Sequence, residues 1–269
     1  MNTFNDIEQR ANFLKELIQK ASARALEGYL NRAAGVYDLK GHQDFLTETD
    51  LAVESLIRNE IAHHFPDDAI LGEEGGGTPG PATWVIDPID GTANFARGIP
   101  HFCVIVCFCL DGEAQLAAIA QPVSQERYFA QRGRGVTKND QPISVATTPD
   151  MTQAHVELGW STRIPTQAYL AAQETLLSQG ASIRRGGSGG LALAWVAEGR
   201  TDAYLEPSMN SWDCIAGMLM VEEAGGQVGT WPNRLSHLLE TGPVLACAPT
   251  IAKQVQQVNF PNLTLKDPS

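Results

Sequence analysis

Two carboxylates follow a short apolar run in the first third of the chain, at Asp87 and Asp90. Pro88 stiffens the turn between them, and Gly91 lets the backbone bend tightly while leaving its amide open to a ligand. Thr92 adds a hydroxyl. Carboxylate oxygens bind hard cations, and free amides at the start of a helix bind phosphate. The stretch therefore predicts a site for cations and a phosphate. The alternative is an Asp-rich turn with a helix N-cap, because acidic turns are common.

Acids also stand at other predicted strand ends and helix starts, without an adjacent base; the full set is Asp50, Glu73, Asp87, Asp90 and Asp213. In α/β folds, ligands bind at the carboxyl ends of strands. If these acids converge, their mutual repulsion requires cations. Ligands that are all oxygen favour Mg²⁺ over zinc, and protein-bound Mg²⁺ usually contacts a substrate phosphate. The pattern predicts metal-assisted hydrolysis of a phosphate ester.

Hydrophobic periodicity predicts helices over residues 6–30 and 51–64 and strands at 84–86, 101–110, 115–120 and 127–130, the last three forming a meander. Residues 142–145 are predicted to form a short edge strand. Beyond a change in composition at 147–150, strands and helices alternate. We therefore expect an N-terminal α+β subdomain over residues 1–146 and a C-terminal α/β subdomain over residues 147–269.

The overall composition favours a small-molecule partner. With 31 acidic and 19 basic residues, the formal charge is -12, which disfavours a nucleic-acid-binding surface. The five cysteines form no CxxC pair, which is typical of reduced thiols in the cytoplasm. The longest apolar run, residues 102–110, is shorter than the ~20 residues of a membrane helix. We expect a cytoplasmic protein without a membrane partner.

Three separated motifs resemble those of the inositol monophosphatase family of Mg²⁺-dependent, lithium-sensitive phosphatases. They lie at residues 72–74, at 87–95, and at 212–213 with 224–226. The central motif is highly specific, and residues 44–50 fit the helix that precedes these motifs. The likeness covers about residues 10–250. It implies a layered αβαβα sandwich and a homodimer.

The resemblance also implies roles for individual residues. Metal ligands for two to three Mg²⁺ ions are Glu73, Asp87, the Ile89 carbonyl, Asp90 and Asp213. Thr92, hydrogen-bonded to Asp50, orients the attacking water, and Glu73 assists through a weaker third ion. Contacts to the phosphate and alcohol parts of the substrate are implied for Lys40, Gly91, Thr92, Gly187, Ser188, Gly189, Glu206 and Asp213. For Lys40, a solvated side chain is the alternative.

The predicted function is hydrolysis of a small polyol phosphate, first of all inositol 1-phosphate, by metal-activated water in an in-line displacement. Histidinol phosphate is the alternative substrate, because Glu206 could pair with its amine. A bisphosphate is disfavoured because no arginine cluster is evident in the sequence. The alternative of another class is a catalytically weak, metal-bound regulatory or binding protein, which the complete set of acids argues against. The glycine-rich stretch at residues 186–190 lacks the lysine of a nucleotide-binding P-loop.

Overall fold

Helices and sheets alternate in five layers in this computed structural model, which describes residues 3–32, 38–41, 44–258, 260 and 263–266. This confirms the predicted αβαβα sandwich. No helix within those ranges is both long and apolar enough to span a bilayer. The α-helices are α1 (Thr3–Asn31), α2 (Glu48–His64), α3 (Thr92–Ala96), α4 (Thr166–Ser178), α5 (Gly189–Ala197), α6 (Ser211–Glu223) and α7 (Ala252–Val255).

A small hairpin precedes the first large sheet, which has seven strands in chain order. Its neighbours are antiparallel except for the parallel first pair. The hairpin strands are β1 (Asp38–Gly41) and β2 (Asp44–Leu46). The sheet strands are β3 (Ala69–Gly72), β4 (Ala82–Asp90), β5 (Cys103–Leu110), β6 (Glu113–Gln121), β7 (Glu126–Gln131), β8 (Gly135–Lys138) and β9 (Gln141–Pro142).

The predicted meander of β5, β6 and β7 is confirmed, and β5 is buried on both faces as its apolar sequence indicates. The predicted length of the strand at the far edge of the first sheet was wrong. The sequence marks a turn at Gly133 and Gly135, but Gly135 already begins β8, and the edge strand covers only residues 141–142 instead of 142–145. The turn itself is confined to residues 132–134.

The second sheet has five strands, in the order β11, β10, β12, β14, β13. β10 pairs in parallel with β11 and β12, whereas β14 runs antiparallel to β12 and β13. Parallel strands need crossover helices, which α4 and α5 supply. The strands are β10 (His155–Leu158), β11 (Ser182–Arg184), β12 (Ala203–Asn210), β13 (Gln227–Val228) and β14 (Thr241–Cys247).

The central helices α5 and α6 lie between the sheets, and one core cluster joins them to β5, β6 and β14. Both helices are largely apolar all round, which is typical of helices buried on two sides. α1 and α2 cover the other face of the first sheet, and α4 and α7 cover the second. The division at residue 146 stays a prediction. α5 and α6 lie beyond this position in sequence, yet they pack beneath the first sheet.

Candidate active site

A bulge near the end of β4 turns Asp87 and Asp90 toward the same side of the sheet. In a regular strand, residues three apart face opposite sides. Here Asp87 pairs with Ile105 and Asp90 with Cys103, so three steps on β4 match two steps on β5. The extra residue changes the alternation of the side chains. Both carboxylates therefore face the central helices, because Ile105 and Cys103 belong to that core cluster.

Two more acids reach the same region from the starts of α2 and α6. Each is the third residue of its helix and accepts a hydrogen bond from the N-cap backbone amide, at 3.0 Å for Asp50 with Thr47 and 3.2 Å for Asp213 with Asn210. In Asp213, both this amide and the Asn210 side chain donate to Oδ2. A capping box thus fixes one oxygen of each carboxylate and leaves the other for a ligand.

The acids at the end of β4 and at the start of α6 are close enough to raise one another's pKa. Burial raises the pKa of Asp87 well above its usual range, and the charges of Glu73, Asp90 and Asp213 raise it further. The pKa of Asp213 is raised in the same way, by burial and then by Glu73 and Asp90. No basic side chain is among the groups that most affect either pKa. The structure therefore brings together Glu73, Asp87, Asp90 and Asp213, which are separated by up to 140 positions in the chain.

The donor chemistry at this point fits divalent cations. The Glu73 and Asp87 carboxyls are within hydrogen-bond reach of each other, and two carboxylates approach in this way only around a shared proton or a cation. All the side-chain donors are oxygens, as Mg²⁺ prefers. Within the described ranges, no three or more histidine, cysteine, aspartate or glutamate side chains are arranged so that they could together hold a metal ion.

Thr92 lies between the acids and the start of α3. Its hydroxyl is 2.8 Å from the Ile89 carbonyl and 3.3 Å from Asp50 Oδ1. Burial raises the pKa of Asp50 to about 6, against hydrogen bonds from Thr47 that lower it. Asp50 therefore remains mostly ionised at neutral pH and accepts the Thr92 hydroxyl. Thr92 can then accept a further hydrogen bond from a bound water.

Gly91 is the N-cap of α3 and has a left-handed backbone, with φ at 93°. A Cβ there would lie 3.1 Å from the His101 carbonyl oxygen and 3.2 Å from that of Gly187. Both the conformation and the narrow space favour glycine. This arrangement keeps the backbone at the start of α3 open to the pocket.

The loop of residues 186–190 closes the other side of Asp90. Ser188 Oγ and Gly190 N lie 2.5 and 2.7 Å from Asp90 Oδ2, and Gly189 N lies 3.2 Å from Oδ1. These hydrogen bonds oppose burial, which raises the pKa of Asp90. Ser188, which the sequence places against the alcohol part of a substrate, is 3% exposed and gives its hydroxyl to Asp90.

A pocket of about 750 Å³ opens beside this cluster. Its wall includes Glu206, which accepts a hydrogen bond from the Tyr204 hydroxyl. Burial raises the pKa of Glu206 to about 7, while Arg185 and Arg163 oppose the rise. The sequence analysis found no arginine cluster, yet the fold brings these two near one carboxylate. Lys40 lies in β1, and its side chain is outside the described part of the chain.

A model of the inositol monophosphatase family matches residues 6–259. The chain belongs to the inositol monophosphatase family. Nus factor SuhB of Xylella fastidiosa is 39% identical over 78% of both chains. The inositol-1-monophosphatase of Rhizobium meliloti is 36% identical over 82% of this chain and 84% of the relative. The crystal structure of extragenic suppressor protein suhB from Bartonella henselae superposes with a TM-score of 0.85 at 29% identity, covering 92% and 97% of the two chains.

Membership of the inositol monophosphatase family confirms the resemblance that the three motifs carry. Sequence analysis nevertheless missed several residues that build the site. Glu54 Oε2 and Oε1 each accept a backbone hydrogen bond at 2.8 Å from Glu74 and Gly75, and Arg58 lies 2.6 Å from Glu54. The acidic loop after β3 is thus anchored to α2. The spacing of Glu54 and Arg58 by four residues on a helix was the available signal.

Asn94 and Glu157 were missed because their partners are far away in sequence. Asn94 contacts a loop 92 positions later, and Glu157 accepts a hydrogen bond from Gly186 at 2.7 Å. Trp160 lines the outer pocket, with the Arg185 guanidinium 5.7 Å from its ring centre. No local pattern marks these three residues.

Proposed function

We propose that this protein is a Mg²⁺-dependent phosphomonoesterase that hydrolyses a small polyol phosphate, with inositol 1-phosphate as the first choice. The observation that carries the proposal is the mutual rise in pKa of the close carboxylates Asp87 and Asp213, beside the open start of α3. Buried acids of this kind are stable in their charged form only with cations. Membership of the inositol monophosphatase family supports the same conclusion.

The ions would be held by Glu73, Asp87, the Ile89 carbonyl, Asp90 and Asp213. When bound, divalent ions supply an activated water at neutral pH and neutralise charge on the leaving oxygen. Asp50 orients the Thr92 hydroxyl, which holds the attacking water in line with the phosphorus. The amides of Gly91 and Thr92 bind the phosphate oxygens. A third ion near Glu73 and Lys40 belongs to the same proposal.

The charged side chains around Glu206 in the pocket favour a substrate whose alcohol part carries hydroxyl groups over one that carries an amine. With a pKa of about 7, Glu206 can both accept and donate hydrogen bonds to hydroxyl groups at neutral pH. Arg163 and Arg185 affect the same carboxylate, and their charges disfavour the ammonium group of histidinol phosphate. Gly187, Gly189 and Asp213 complete the proposed contacts to the alcohol.

A regulatory or binding role is the second candidate, because relatives such as that of Xylella fastidiosa carry the name Nus factor SuhB. The net charge of -12 supports a small-molecule ligand over direct binding of nucleic acid. A homodimer is proposed from the resemblance to the family.

The test is phosphate release from inositol 1-phosphate, histidinol phosphate and a sugar bisphosphate, with Mg²⁺ and after chelation. We expect Mg²⁺-dependent turnover that is fastest with inositol 1-phosphate. Asp90→Asn should abolish turnover, whereas the matched change at exposed Asp67, Asp67→Asn, should not. Faster turnover of histidinol phosphate would change the substrate, and turnover that survives chelation would overturn the mechanism. If none of the esters is hydrolysed, the regulatory or binding role is the remaining candidate.

A further inference from the structure

The loop of residues 186–190 spans the gap between the two sheets, and side chains from β10 and from α3 hold its first residue. From the second sheet, Glu157 Oε1 accepts the Gly186 amide at 2.7 Å, while its Oε2 lies 3.0 Å from Arg184 Nε. From α3, which follows β4 of the first sheet, Asn94 Nδ2 lies 2.9 Å from the Gly186 carbonyl oxygen. Gly186 is therefore fixed through its amide and its carbonyl by two elements that are distant in the chain.

Asn94 makes two further contacts with the same amide nitrogen. Nδ2 lies 2.7 Å from the carbonyl oxygen of His101 and 3.4 Å from that of Gly187. The opposite orientation of the side-chain amide would place its oxygen against three carbonyl oxygens, so chemistry fixes the nitrogen in this position. Asn94 thus joins α3, the segment before β5 and the glycine loop.

The far end of this loop controls the orientation of Asp90. Oδ2 of Asp90 accepts hydrogen bonds from Ser188 and Gly190, and the Cys103 thiol lies 3.4 Å away. Oδ1 has a single, longer contact, at 3.2 Å from Gly189 N. The loop therefore occupies one oxygen and leaves the other with capacity for a ligand. A shift of the loop would rotate the carboxylate or free the occupied oxygen.

We propose that Asn94 is a positioning residue that holds the glycine loop against α3 and thereby sets the orientation of Asp90. It acts through the loop, because its amide nitrogen faces the carbonyl oxygens of His101, Gly186 and Gly187. The effect of Asn94 on turnover rests on the proposed function, whereas its effect on the loop is independent of that function. Partners that orient a metal ligand in this way typically change metal affinity or activity by about 10–100-fold when removed.

The test compares Asn94→Ala and Asn94→Asp with the wild type. Asn94→Asp keeps the size of the side chain but removes the donor and turns a charge toward carbonyl oxygens. Asn59→Asp, on the exposed face of α2, is the matched control. Hydrogen–deuterium exchange of Mg²⁺-free protein reports on residues 186–190, and on β5 and β6 as the internal reference. Mg²⁺ titration of inositol 1-phosphate hydrolysis reports on the site.

In both Asn94 variants, we expect amides of residues 186–190 to exchange about tenfold faster or more, with β5 and β6 unchanged. Half-maximal turnover should require about tenfold more Mg²⁺, with a smaller change in KM. Asn59→Asp should match the wild type in both measurements. The proposal would be overturned if the loop amides of both variants exchanged at the wild-type rate. It would also be overturned if exchange in β5 and β6 became faster by the same factor as in the loop. If the wild type hydrolyses no ester, the proposed function fails and the exchange measurement alone decides this inference.

Discussion

Carboxylates removed wholly or partly from solvent occur in two regions of this molecule, and their surroundings are opposite in charge. At the far edge of the first sheet, Glu126 and Glu198 are surrounded by partners. Lys138 Nζ lies 3.5 Å from Glu126, and Arg200 Nε lies 2.8 Å from Glu198. Burial raises the pKa of Glu126, but its hydrogen bonds and ion pairs with Arg200 and Lys138 outweigh burial and lower it. At the bulge of β4, burial and neighbouring acids both raise the pKa of Asp87.

The charges around a carboxylate distinguish an acid that stabilises the fold from one that is suited to bind a ligand. The edge network carries its own compensating charges, so its acids are satisfied within the chain. Among the described residues, the groups that most affect the pKa values of Asp87 and Asp213 are other acids and hydrogen-bond donors, not basic side chains. A fold keeps such an arrangement at a cost in stability. We infer that the missing charge is supplied by bound metal ions.

The largest expected effect comes from exchanging one acid in each region for its amide. Asp87→Asn should lower turnover by about 10³-fold or more, because it removes a carboxylate that we propose as a metal ligand. Without Mg²⁺ at pH 8, it should raise the melting temperature, because it relieves repulsion and can donate to Glu73. Glu126→Gln should leave turnover intact and lower stability by about 1–2 kcal/mol, because Lys138 and Arg200 lose a partner.

Turnover assays and thermal melts of the two amide variants check this prediction. If Asp87→Asn destabilises the Mg²⁺-free protein as Glu126→Gln does, the two regions are not opposites and the acids near β4 are structural. The result is sharpened by adding Mg²⁺, which should stabilise the wild type and Glu126→Gln but have a much smaller effect on Asp87→Asn.

The second prediction concerns pH. A raised carboxyl pKa means that the folded protein binds more protons than the unfolded chain, so stability falls as pH rises through the folded pKa. With Asp50 at about 6 and Glu206 at about 7, the Mg²⁺-free protein should lose on the order of a few kcal/mol between pH 4 and pH 8. Denaturant unfolding across this range measures it.

The contribution of Glu126 to stability changes with pH in the opposite direction. The pKa of Glu126 is lowered from 4.5, so its contribution is present above that value and lost as pH falls further. Glu126→Gln should therefore reduce the loss of stability below pH 4.5 and leave the pH dependence of stability in the neutral range unchanged. A Mg²⁺-free protein whose stability rises from pH 4 to pH 8 would contradict the account of the acids near the pocket.

How far the site was predictable depends on how local its signals are. Asp87, Asp90 and the helix starts at Asp50 and Asp213 follow from short motifs and capping chemistry. The side to which Asp87 and Asp90 point depends on a bulge that forms only against β5, so it was not predictable from the strand alone.

Contacts between distant segments were missed for the same reason. The family resemblance implied a substrate contact for Ser188, but its hydrogen bond to Asp90 joins residues 98 positions apart and has no local signal. Arg163 and Arg185 do not form a cluster in sequence, and β10, β11 and the following loops bring them toward Glu206. The alternation of layers was predictable because the family resemblance implies it.

The smallest expected effect tests an acid of the pocket that belongs to neither group. Glu206→Gln keeps the shape and the hydrogen bond from Tyr204 but removes the charge. We expect KM for inositol 1-phosphate to rise about 5–10-fold, which corresponds to roughly one hydrogen bond. The Mg²⁺ requirement should stay the same. A raised Mg²⁺ requirement would instead place Glu206 among the metal-holding acids.

The most direct measurement for the central claim is a crystal structure of the wild-type protein grown with Mn²⁺, with anomalous scattering used to locate the ions. The account predicts at least two peaks about 3.5–4 Å apart, with the Asp87 carboxylate between them and Glu73, Asp90 and Asp213 as further ligands. The absence of any peak within ligating distance of Asp87 at saturating Mn²⁺ would contradict it.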